Sequence, residues 1–463
     1  MVVVMKFGGT SVGDGKRIFD AANIVKRQRG SKVVVLSAMG GVTDKLINIA
    51  KEVVDLPTSV VEREVDIFYR DILIQHRSAI EEAIQDRRVH GEVLQELIRL
   101  LDQLKVALLG VGYLEDLTPK SLDYIMSFGE RLSVLIMTGC LKSIDIKAEA
   151  LTGYEAGLIT DSNFGCARPL HKISKKTMNG KLKPMLSRGV TPVVTGFVAG
   201  NQSAKITTLG RGGSDFTASL VGNYINADEV QIWTDVDGIL TTDPKAVKNA
   251  KLIKELSYVE AMDLAYYGAK VIHSKMIEPA MVADIPVVVK NTFNPRYQGT
   301  RIVRQQKAVK GVIKAIAISK NVAIINLQGV GMAETPGIAG KVFSLLGEGN
   351  INILMISGSS ESNLSFVVSQ KDVTRSIEIL KDNFQGNGIR NIGLMGDVCI
   401  ITVVGAGMQG TKGVASKVFE SVAKANVNII MIAQGSSEVN IAFIVNEKDA
   451  KKALNALHRR FIR

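Results

Sequence analysis

Two glycine-rich stretches about 200 residues apart constrain this chain more than any other feature. The first is Lys6-Phe-Gly-Gly-Thr-Ser11 and the second is Thr207-Thr-Leu-Gly-Arg-Gly-Gly-Ser-Asp215. Each combines backbone without bulky side chains, hydroxyl groups and one fixed cation, either Lys6 or Arg211. Such a loop can approach phosphate or carboxylate oxygens closely and neutralise their charge. We therefore expect the chain to handle a nucleotide and a second anion together.

Composition restricts the class of protein. The 463 residues, 46% hydrophobic and 22% charged, are typical of a globular protein with two to four domains. Three scattered cysteines are too few for a disulfide framework or a zinc site, so we expect a reducing, cytoplasmic setting and no metal-ligand cluster. The first five residues predict a buried strand and not a secretion signal, and no apolar run approaches the roughly 20 residues that a membrane span needs.

The net charge of +12 raises the possibility of a nucleic-acid partner. The basic residues are nevertheless spread along the chain, and aromatic residues make up only 5% of it. No basic stripe is interleaved with aromatic side chains. Anionic small-molecule substrates explain the charge at least as well, so we expect neither a nucleic-acid nor a membrane partner.

Residues 1–304 alternate between strand and helix patterns. Residues 1–60 predict a βαβ unit, residues 60–142 are helical with a start at Thr118-Pro119, and residues 190–290 return to α/β. This order predicts an open, mainly parallel sheet covered by helices. In such sheets ligands bind at the carboxyl ends of the strands, and the glycine-rich turns occupy those positions.

The last third of the chain contains an internal repeat. Segments 329–332, 337–343, 350–353 and 355–356 recur 76 residues later, at 405–408, 413–419, 426–429 and 431–432. Each copy reads β-α-β-β-α, a ferredoxin-like pattern that normally closes with a fourth strand. The second copy lacks that strand, and we expect residues 312–318 to supply it. The predicted domains are therefore 1–304, an inserted 320–395, and 305–319 together with 396–463.

Individual motifs allow both a functional and a structural interpretation. The lysine of Lys6–Ser11 precedes the glycines, so this is not the usual phosphate loop; it cradles phosphate or is only a tight βα turn. Glu130, beside a glycine inside a predicted helix, binds an ammonium group or is a solvated surface residue. Arg211 offers a planar cation to a carboxylate, and Asp215 either joins the site or caps a helix.

The chemistry needs no general base if the acceptor is a carboxylate. An aspartate side chain has a reference pKa near 3.9 and is already ionised at neutral pH. Attack on a γ-phosphate then depends on positioning and charge neutralisation. No cysteine or serine is paired with a base, and His76, His90, His171 and His458 fall in no motif.

Five motifs together resemble the aspartate kinases. They are Lys-Phe-Gly-Gly-Thr-Ser at 6–11, Ser-Phe-Gly-Glu at 127–130, Thr-Leu-Gly-Arg-Gly-Gly-Ser-Asp at 208–215, Trp-Thr-Asp-Val-Asp-Gly-Ile at 233–239 and Gly-Ala-Lys-Val-Ile-His at 268–273. Their order and spacing match that family, and the repeated tail resembles its paired ACT domains. The resemblance implies a three-layer αβα amino-acid-kinase fold followed by two ferredoxin-like (βαββαβ) ACT domains.

The resemblance also implies transfer of the ATP γ-phosphate to the β-carboxylate of L-aspartate, with Mg²⁺ bound mainly through the nucleotide. Lys6, Arg211 and Asp215 are the implied catalytic residues, with Arg211 on the substrate α-carboxylate and Glu130 on its α-amine. The rest of the aspartate side is implied to be Ser37, Thr43, Gly196, Phe197 and Ser214. The nucleotide is implied to be bound by Lys6, Gly8, Gly9, Ser11, Thr234, Asp235, Asp243, Lys245 and Lys270.

Regulation by an end-product amino acid is a further implication of the paired ACT domains. The implied effector site consists of Met332, Ala333, Gly337, Ile338, Asn350, Ile351 and Asn352, which could equally serve only sheet–helix packing. Leu354 stands where lysine-sensitive members often carry aspartate, so we favour threonine over lysine as the inhibitor. The family implies a homodimer through the ACT domains, with a tetramer left open.

Two alternatives differ from this assignment. A kinase of the same fold could act on another acyl or amino-acid acceptor, although Glu130 favours a substrate with a free amine. A non-catalytic amino-acid sensor would use only the tail, and we would then expect a degraded front half. Lys6, Glu130, Arg211 and Asp215 are all present, which favours an enzyme.

Overall fold

The computed structural model describes residues 1–268, 271–304, 312–329, 337–360, 363–384 and 391–462. They form two compact units. The first comprises Met1–Ile239, Lys254–Tyr258 and Val271–Gln305, and the second Leu240–Ile253, Val259–Lys270 and Gln306–Arg463. Within the described residues, no helix is both long enough and apolar enough to cross a membrane.

Strands and helices alternate along the first 304 residues. The strands are β1 (Val2–Phe7), β2 (Ser31–Leu36), β3 (Ala148–Leu151), β4 (Ile159–Thr160), β5 (Thr191–Thr195), β6 (Val198–Asn201), β7 (Ile206–Thr208), β8 (Glu229–Thr234), β9 (Glu255–Ser257), β10 (Val287–Asn291) and β11 (Thr300–Val303). The helices are α1 (Gly15–Arg27), α2 (Val42–Asp55), α3 (Thr58–Ala83), α4 (Arg87–Leu114), α5 (Pro119–Ser143), α6 (His171–Ser187), α7 (Gly213–Ile225), α8 (Tyr258–Tyr266) and α9 (Ser274–Ala283).

An eight-stranded sheet with the order β3-β5-β2-β1-β8-β10-β11-β9 is the centre of the first unit. All neighbouring strands run parallel except β10 and β11. Helices α1 to α5 share one apolar core with the sheet, while α6, α7 and α9 pack together against other parts of it. The predicted sheet between helical layers is therefore confirmed, and a small sheet of β4, β6 and β7 lies beside it.

Local signals in the sequence explain where the helices begin. The side chain of Asp14 accepts a hydrogen bond from the amide of Arg17 at the start of α1. Thr118 does the same for Ser121 at the start of α5, where Pro119 takes the first helical position. Because these bonds satisfy amides that lack a partner inside the helix, they fix where each helix starts.

The buried histidine of α3 makes the stability of the first unit depend on pH. His76 is fully buried, and its Nδ1 lies 2.8 Å from the carbonyl oxygen of Ile72. Burial lowers the pKa of His76 from 6.5 to about 4. The folded protein therefore keeps this ring neutral at a pH where the unfolded chain would already be protonated.

We expect His76 to destabilise the fold as the pH falls from about 6.5 to 4, by roughly 3 kcal/mol in the free energy of unfolding. A His76→Gln variant cannot take up this proton, so its stability should fall less over the same window. Urea unfolding of both proteins at pH 7 and pH 4.5 measures the difference, with His90→Gln as a control on the neighbouring helix. An identical pH dependence in wild type and His76→Gln would contradict this assignment.

The second unit contains a six-stranded sheet with the order β13-β14-β12-β15-β17-β16. Its strands are β12 (Ala315–Gln328), β13 (Ile353–Ser360), β14 (Asn363–Ser369), β15 (Asn391–Val404), β16 (Met431–Ala433) and β17 (Asn440–Asn446). Its helices beyond α8 are α10 (Ile338–Glu348), α11 (Val373–Phe384), α12 (Val414–Lys424) and α13 (Ala450–Phe461).

The two repeat copies share the long strands β12 and β15 of this sheet. The first part of β12, Ala315 to Ser319, pairs antiparallel with residues 404 to 400 of β15. The second part of β12, from Val322, pairs both with β14 and with the first part of β15. Each copy therefore has four strands, and the two copies form one continuous sheet. Helices α10 and α11 pack around one apolar core, and helices α12 and α13 pack around another.

The compact units do not coincide with a boundary at residue 304. Val247 is buried in the core shared by α12 and α13. Glu260 of α8 is fully buried, 3.3 Å from the ammonium of Lys314, and it accepts a 2.6 Å hydrogen bond from the amide of Ala406. A buried carboxylate is retained only where such partners compensate its desolvation. These contacts explain why two segments before residue 304 belong to the second unit.

Candidate active site

Four parallel strands end at the same edge of the first unit's sheet. Phe7 of β1 is paired with Leu36 of β2 and Trp233 of β8, and Leu36 is paired with Thr195 of β5. Hydrogen bonding continues into the loops, since the amide of Gly8 donates to the carbonyl of Trp233 at 3.1 Å. The sequence thus places four loops side by side at the carboxyl end of the sheet, where ligands of such sheets bind.

A pocket of about 360 Å³ lies between the loops after β1, β2 and β5, the loop before α7 and the first turns of α2 and α7. Nine of the predicted site residues line it, namely Lys6, Gly9, Ser37, Thr43, Glu130, Phe197, Arg211, Ser214 and Asp215. The glycine-rich stretches at 6–11 and 207–215, far apart in sequence, therefore face one cavity. This arrangement agrees with the prediction that the two stretches form one site for two anions.

Lys6 and Asp215 form an ion pair inside the pocket. The Lys6 ammonium, at the end of β1, lies 2.5 Å from Oδ1 of Asp215, and their side chains are 10% and 15% exposed. Asp215 is the third residue of α7, and Gly212 occupies the N-cap position in the left-handed conformation. The alternative in which Asp215 caps the helix is therefore wrong. Its carboxylate instead lies in the first turn of α7, where the helix dipole favours negative charge.

Glu130 contributes a buried carboxylate to the lining of the pocket. Its side chain is 3% exposed, and Oε1 accepts a 3.1 Å hydrogen bond from the amide of Ala38. Oε2 has no hydrogen-bond partner among the described residues. Burial raises the pKa of Glu130 from 4.5 to about 8, against smaller opposing effects of the Ala38 amide and Lys6. The interpretation of Glu130 as a solvated surface residue is therefore wrong.

The glycine before Glu130 is explained by close packing. A Cβ atom on Gly129 would lie 2.8 Å from the Cβ of Ala38. Only a glycine lets α5 approach the loop after β2 closely enough for the Glu130 carboxylate to reach the Ala38 amide. The group that approaches Gly129 is therefore the polypeptide itself.

The loop that carries Arg211 depends on its glycines for its conformation and its packing. Gly210 and Gly212 adopt positive φ angles of 75° and 72°. A Cβ on Gly212 would lie 2.4 Å from the ring of His273, so this glycine is required by conformation and by packing. Phe197, whose carbonyl accepts a 3.0 Å hydrogen bond from the Leu209 amide, also has a positive φ of 63°, an uncommon conformation for a non-glycine residue that often marks functional sites.

The predicted nucleotide residues are distributed differently. Thr234 and Asp235 follow β8 at the same sheet edge, where the Thr234 hydroxyl donates to Oδ1 of Asp235 at 3.1 Å, but neither lines the pocket. Ser11 is fully buried, and its hydroxyl lies 2.7 Å from that of Thr292 and 3.3 Å from the carbonyl of Trp233. Ser11 therefore connects the turn after β1 to β8 and to the residue that follows β10. The Gly8 amide likewise donates its hydrogen bond to the Trp233 carbonyl.

Three other nucleotide residues lie outside this group. Asp243 and Lys245 belong to the second unit, where Oδ1 of Asp243 accepts a 2.9 Å hydrogen bond from the Lys245 amide. Lys270 lies outside the described residues. The nucleotide roles of these three residues stay predictions.

The predicted effector residues are only partly described, since Met332 and Ala333 lie outside the described residues. Gly337 is the N-cap of α10 with a φ of 92°, and Ile338 is the first residue of that helix. Asn350 has a φ of 54° directly after α10, and its repeat partner Asn426 has the same angle after α12. Both asparagines therefore terminate helices, which supports a structural role for them. Ile351 is buried and Asn352 is exposed.

Sequence reasoning missed part of the pocket wall. The unpredicted lining residues are Ala38, Met39, Gly40, Gly41, Asp44, Gly210, Gly212 and Gly213. Gly41 is the left-handed N-cap of α2, and Thr43 and Asp44 in the first turn of that helix line the pocket. The glycine pair after β2 signals such a helix start, whereas nothing in the sequence distinguishes Met39 from a core residue.

Comparison with known proteins agrees with this geometry. Residues 1–291 match the model of the amino acid kinase family, and residues 325–384 and 401–461 match an ACT domain. Aspartokinase 1, chloroplastic, of Arabidopsis thaliana is 32% identical over 99% of this chain and 80% of its own length. This chain belongs to the aspartokinase family. Family membership makes it an ATP-dependent kinase, which is a transferase, and the predicted fold class is confirmed.

Solved structures of the family extend the comparison. Escherichia coli aspartokinase III in complex with aspartate and ADP (R-state) has a TM-score of 0.84 and 30% identity, covering 99% of each chain. The same enzyme in complex with lysine and aspartate (T-state) has a TM-score of 0.82 and 29% identity, covering both chains fully. Among the relatives, a bifunctional aspartokinase/homoserine dehydrogenase of Zea mays is longer, and the chain spans 50% of it.

Proposed function

We propose that this protein transfers the γ-phosphate of ATP to the β-carboxylate of L-aspartate, giving 4-phospho-L-aspartate. The observation that carries the proposal is one small pocket that contains a fixed ammonium (Lys6), a guanidinium (Arg211) and a buried carboxylate oxygen (Oε2 of Glu130) with no hydrogen-bond partner in the described part of the chain. L-aspartate presents the complementary groups, two carboxylates and one ammonium. A similar protein of known structure, Escherichia coli aspartokinase III, was solved with aspartate and ADP.

Each charged group of the substrate has one partner in this proposal. Glu130 binds the α-ammonium, because desolvation makes an unpaired buried carboxylate costly and a cation relieves that cost. Arg211 binds the α-carboxylate through its planar fork. Ser37, Thr43, Gly196, Phe197 and Ser214 shape the remaining wall. The β-carboxylate then points towards Lys6.

Lys6 screens the repulsion between two anions in the transfer step. The β-carboxylate oxygen attacks the γ-phosphorus while the bond to the β-phosphate oxygen breaks, so negative charge spreads over the transferring group. Asp215 orients the Lys6 ammonium before the substrates bind. We assign the nucleotide to Lys6, Gly8, Gly9, Ser11, Thr234, Asp235, Asp243, Lys245 and Lys270. Gly8 and Ser11 take part by fixing the turn after β1, since their amide and hydroxyl are bonded within the fold. Mg²⁺ would enter with the nucleotide and neutralise phosphate charge, since protein sites supply it with few ligands.

A direct assay tests the reaction. The purified protein, ATP, Mg²⁺ and either L-aspartate or N-acetyl-L-glutamate are incubated, and ADP release and trapping of the acyl phosphate by hydroxylamine are measured. Product formed with L-aspartate but not with N-acetyl-L-glutamate supports the proposal. The acetylated amine of N-acetylglutamate carries no charge for Glu130 to bind. Turnover of N-acetylglutamate and not of aspartate would therefore favour the other kinase candidate.

Feedback inhibition by threonine is the second part of the proposal. Leu354, next to the predicted effector residues, offers no charge to the ammonium of a lysine side chain, although the structural relative was solved with lysine. Inhibition measured with threonine, lysine and both together distinguishes the effectors.

The assembly and setting are proposals of the same kind. A cytoplasmic homodimer through the tail agrees with three free cysteines and with exposed Ile356 and Ile432 on the edge strands β13 and β16. Domains of 1–304, 320–395, and 305–319 with 396–463 stay the proposed division of the sequence. Light scattering on the purified chain measures the oligomer.

A further inference from the structure

Helix α5 carries two buried carboxylates, and only one of them lines the pocket. Asp123 and Glu130 are seven residues apart, which places them on one face of the helix about two turns from each other. Glu130 faces the pocket. Asp123 is 0% exposed and does not line the pocket, so its charge must serve another purpose.

The Asp123 carboxylate accepts hydrogen bonds from two separate segments. Its Oδ2 accepts from the amides of Thr208 and Gly165, both at 2.9 Å, and its Oδ1 accepts from the Thr208 hydroxyl at 2.7 Å. Hydrogen bonds to an ionised acceptor are stronger than neutral ones. Burial raises the pKa of Asp123, and the bonds from Thr208 and Gly165 oppose that rise.

Both segments support the loop that carries Arg211. Thr208 is the last residue of β7 and precedes Arg211 by only three positions. Gly165 lies close to Gly210 of the loop, because a Cβ on Gly210 would approach both the Gly165 carbonyl and the Cys166 sulfur to 3.3 Å. A backbone bond of 2.8 Å from the Ala167 amide to the Thr208 carbonyl joins the two segments.

We propose that Asp123 is a positioning residue that holds the Arg211 loop at the distance from Glu130 at which the two ends of L-aspartate are bound together. It does not touch the substrate and acts through Thr208 and Gly165. The inference rests on the proposed function, because it assigns the α-carboxylate to Arg211 and the α-ammonium to Glu130. One rigid helix then carries the ammonium-binding residue and also anchors the carboxylate-binding loop.

The loop needs such an anchor because of its own composition. Gly210 and Gly212 flank Arg211, and glycine restricts the backbone less than any other residue. Arg211 itself is exposed. Without a fixed point at Thr208, the guanidinium would sample many positions relative to Glu130, and binding an amino acid at both ends would cost more entropy.

Two substitutions at Asp123 separate anchoring from charge. Asparagine can accept from both amides with its oxygen while its amide group donates to the Thr208 hydroxyl, which then acts as acceptor. We therefore expect Asp123→Asn to keep the KM for L-aspartate within about threefold of wild type. Asp123→Ala removes all three bonds, and we expect it to raise that KM about 10- to 100-fold while the KM for ATP changes less than about twofold.

A double-mutant cycle shows whether the effect passes through Arg211. In an Arg211→Ala background, Asp123→Ala should leave the KM for L-aspartate nearly unchanged, because the positioned group is already absent. Thr208→Val, which removes only the bond to Oδ1, should give an intermediate KM and serves if Asp123→Ala does not fold. Thr138→Val is the matched control, since the Thr138 hydroxyl is buried on the same helix and, among the described residues, bonds only to the Val134 carbonyl.

Four results would overturn the proposal. The first is an equal rise of both KM values in Asp123→Ala, which would indicate general damage to the fold. The second is a full effect of Asp123→Ala in the Arg211→Ala background. The third is a wild-type protein that does not phosphorylate L-aspartate, in which case the proposed function fails as well. Normal wild-type turnover with an unchanged KM in a folded Asp123→Ala or Thr208→Val variant would refute this inference alone.

Discussion

Replacing Lys6 by methionine lowers kcat for aspartate phosphorylation by at least about 10³-fold, because the transition state loses its fixed positive charge in a site sheltered from water. Methionine keeps most of the apolar volume of the lysine stem. The pocket geometry should therefore survive, and the loss should be in turnover. Steady-state kinetics with both substrates varied, together with nucleotide binding by calorimetry, measures the two effects separately.

The variant has a second consequence that provides its control. Without Lys6, the Asp215 carboxylate, 15% exposed in the wild type, loses the cation 2.5 Å away. An uncompensated charge in such a place destabilises the protein, and removing one partner of a buried pair costs more than removing both. We expect Lys6→Met/Asp215→Asn to regain the stability that Lys6→Met loses in urea unfolding, but not its turnover. Turnover of Lys6→Met near the wild-type rate would show that Lys6 has no catalytic role.

Much of the fold and of the site could be predicted because the signals are local. A strand followed by glycines and a helix start defines where a ligand-binding edge lies, and the motifs at Lys6 and Arg211 are of this kind. The repeat in the tail predicts paired strands because equal sequences form equal units. Thr118-Pro119 predicts the start of α5 for the same local reason.

Other features depend on contacts between distant segments, and no local signal reports them. The burial of Glu130 follows from how closely α5 approaches Ala38, and that approach is visible only in three dimensions. Ser11 looks like a phosphate ligand in its motif, yet its hydroxyl is used by Thr292, 281 residues away. Asp123 belongs to no motif, because its hydrogen-bond partners, Gly165 and Thr208, are distant in the sequence. Helix α8 reads as part of the kinase sequence, but Glu260 is buried against Lys314 and Ala406.

Replacing Glu130 by glutamine should affect aspartate binding and stability in opposite directions. With a pKa of about 8, the folded wild type holds a proton on Glu130 that the unfolded chain has lost above pH 4.5. Stability therefore falls as the pH rises from 4.5 to 8, at a slope of up to about 1.4 kcal/mol per unit. Glutamine does not ionise, so we expect Glu130→Gln to be more stable than wild type at pH 8, and the difference to vanish near pH 5.

Substrate binding makes the opposite demand on the same residue. The α-ammonium of aspartate requires the ionised carboxylate, so wild-type kcat/KM for aspartate should rise as the pH increases from 6 to 8. Glu130→Gln should lower kcat/KM about 10³-fold at pH 8 and lose this rising limb, because its side chain can no longer pair with a cation. Urea unfolding and pH–rate profiles of both proteins measure the two effects. Glu130→Gln with a wild-type KM for aspartate, or with lower stability at pH 8, would contradict the assignment. A buried carboxylate that costs stability and gains its partner only from the substrate is retained for binding and not for folding.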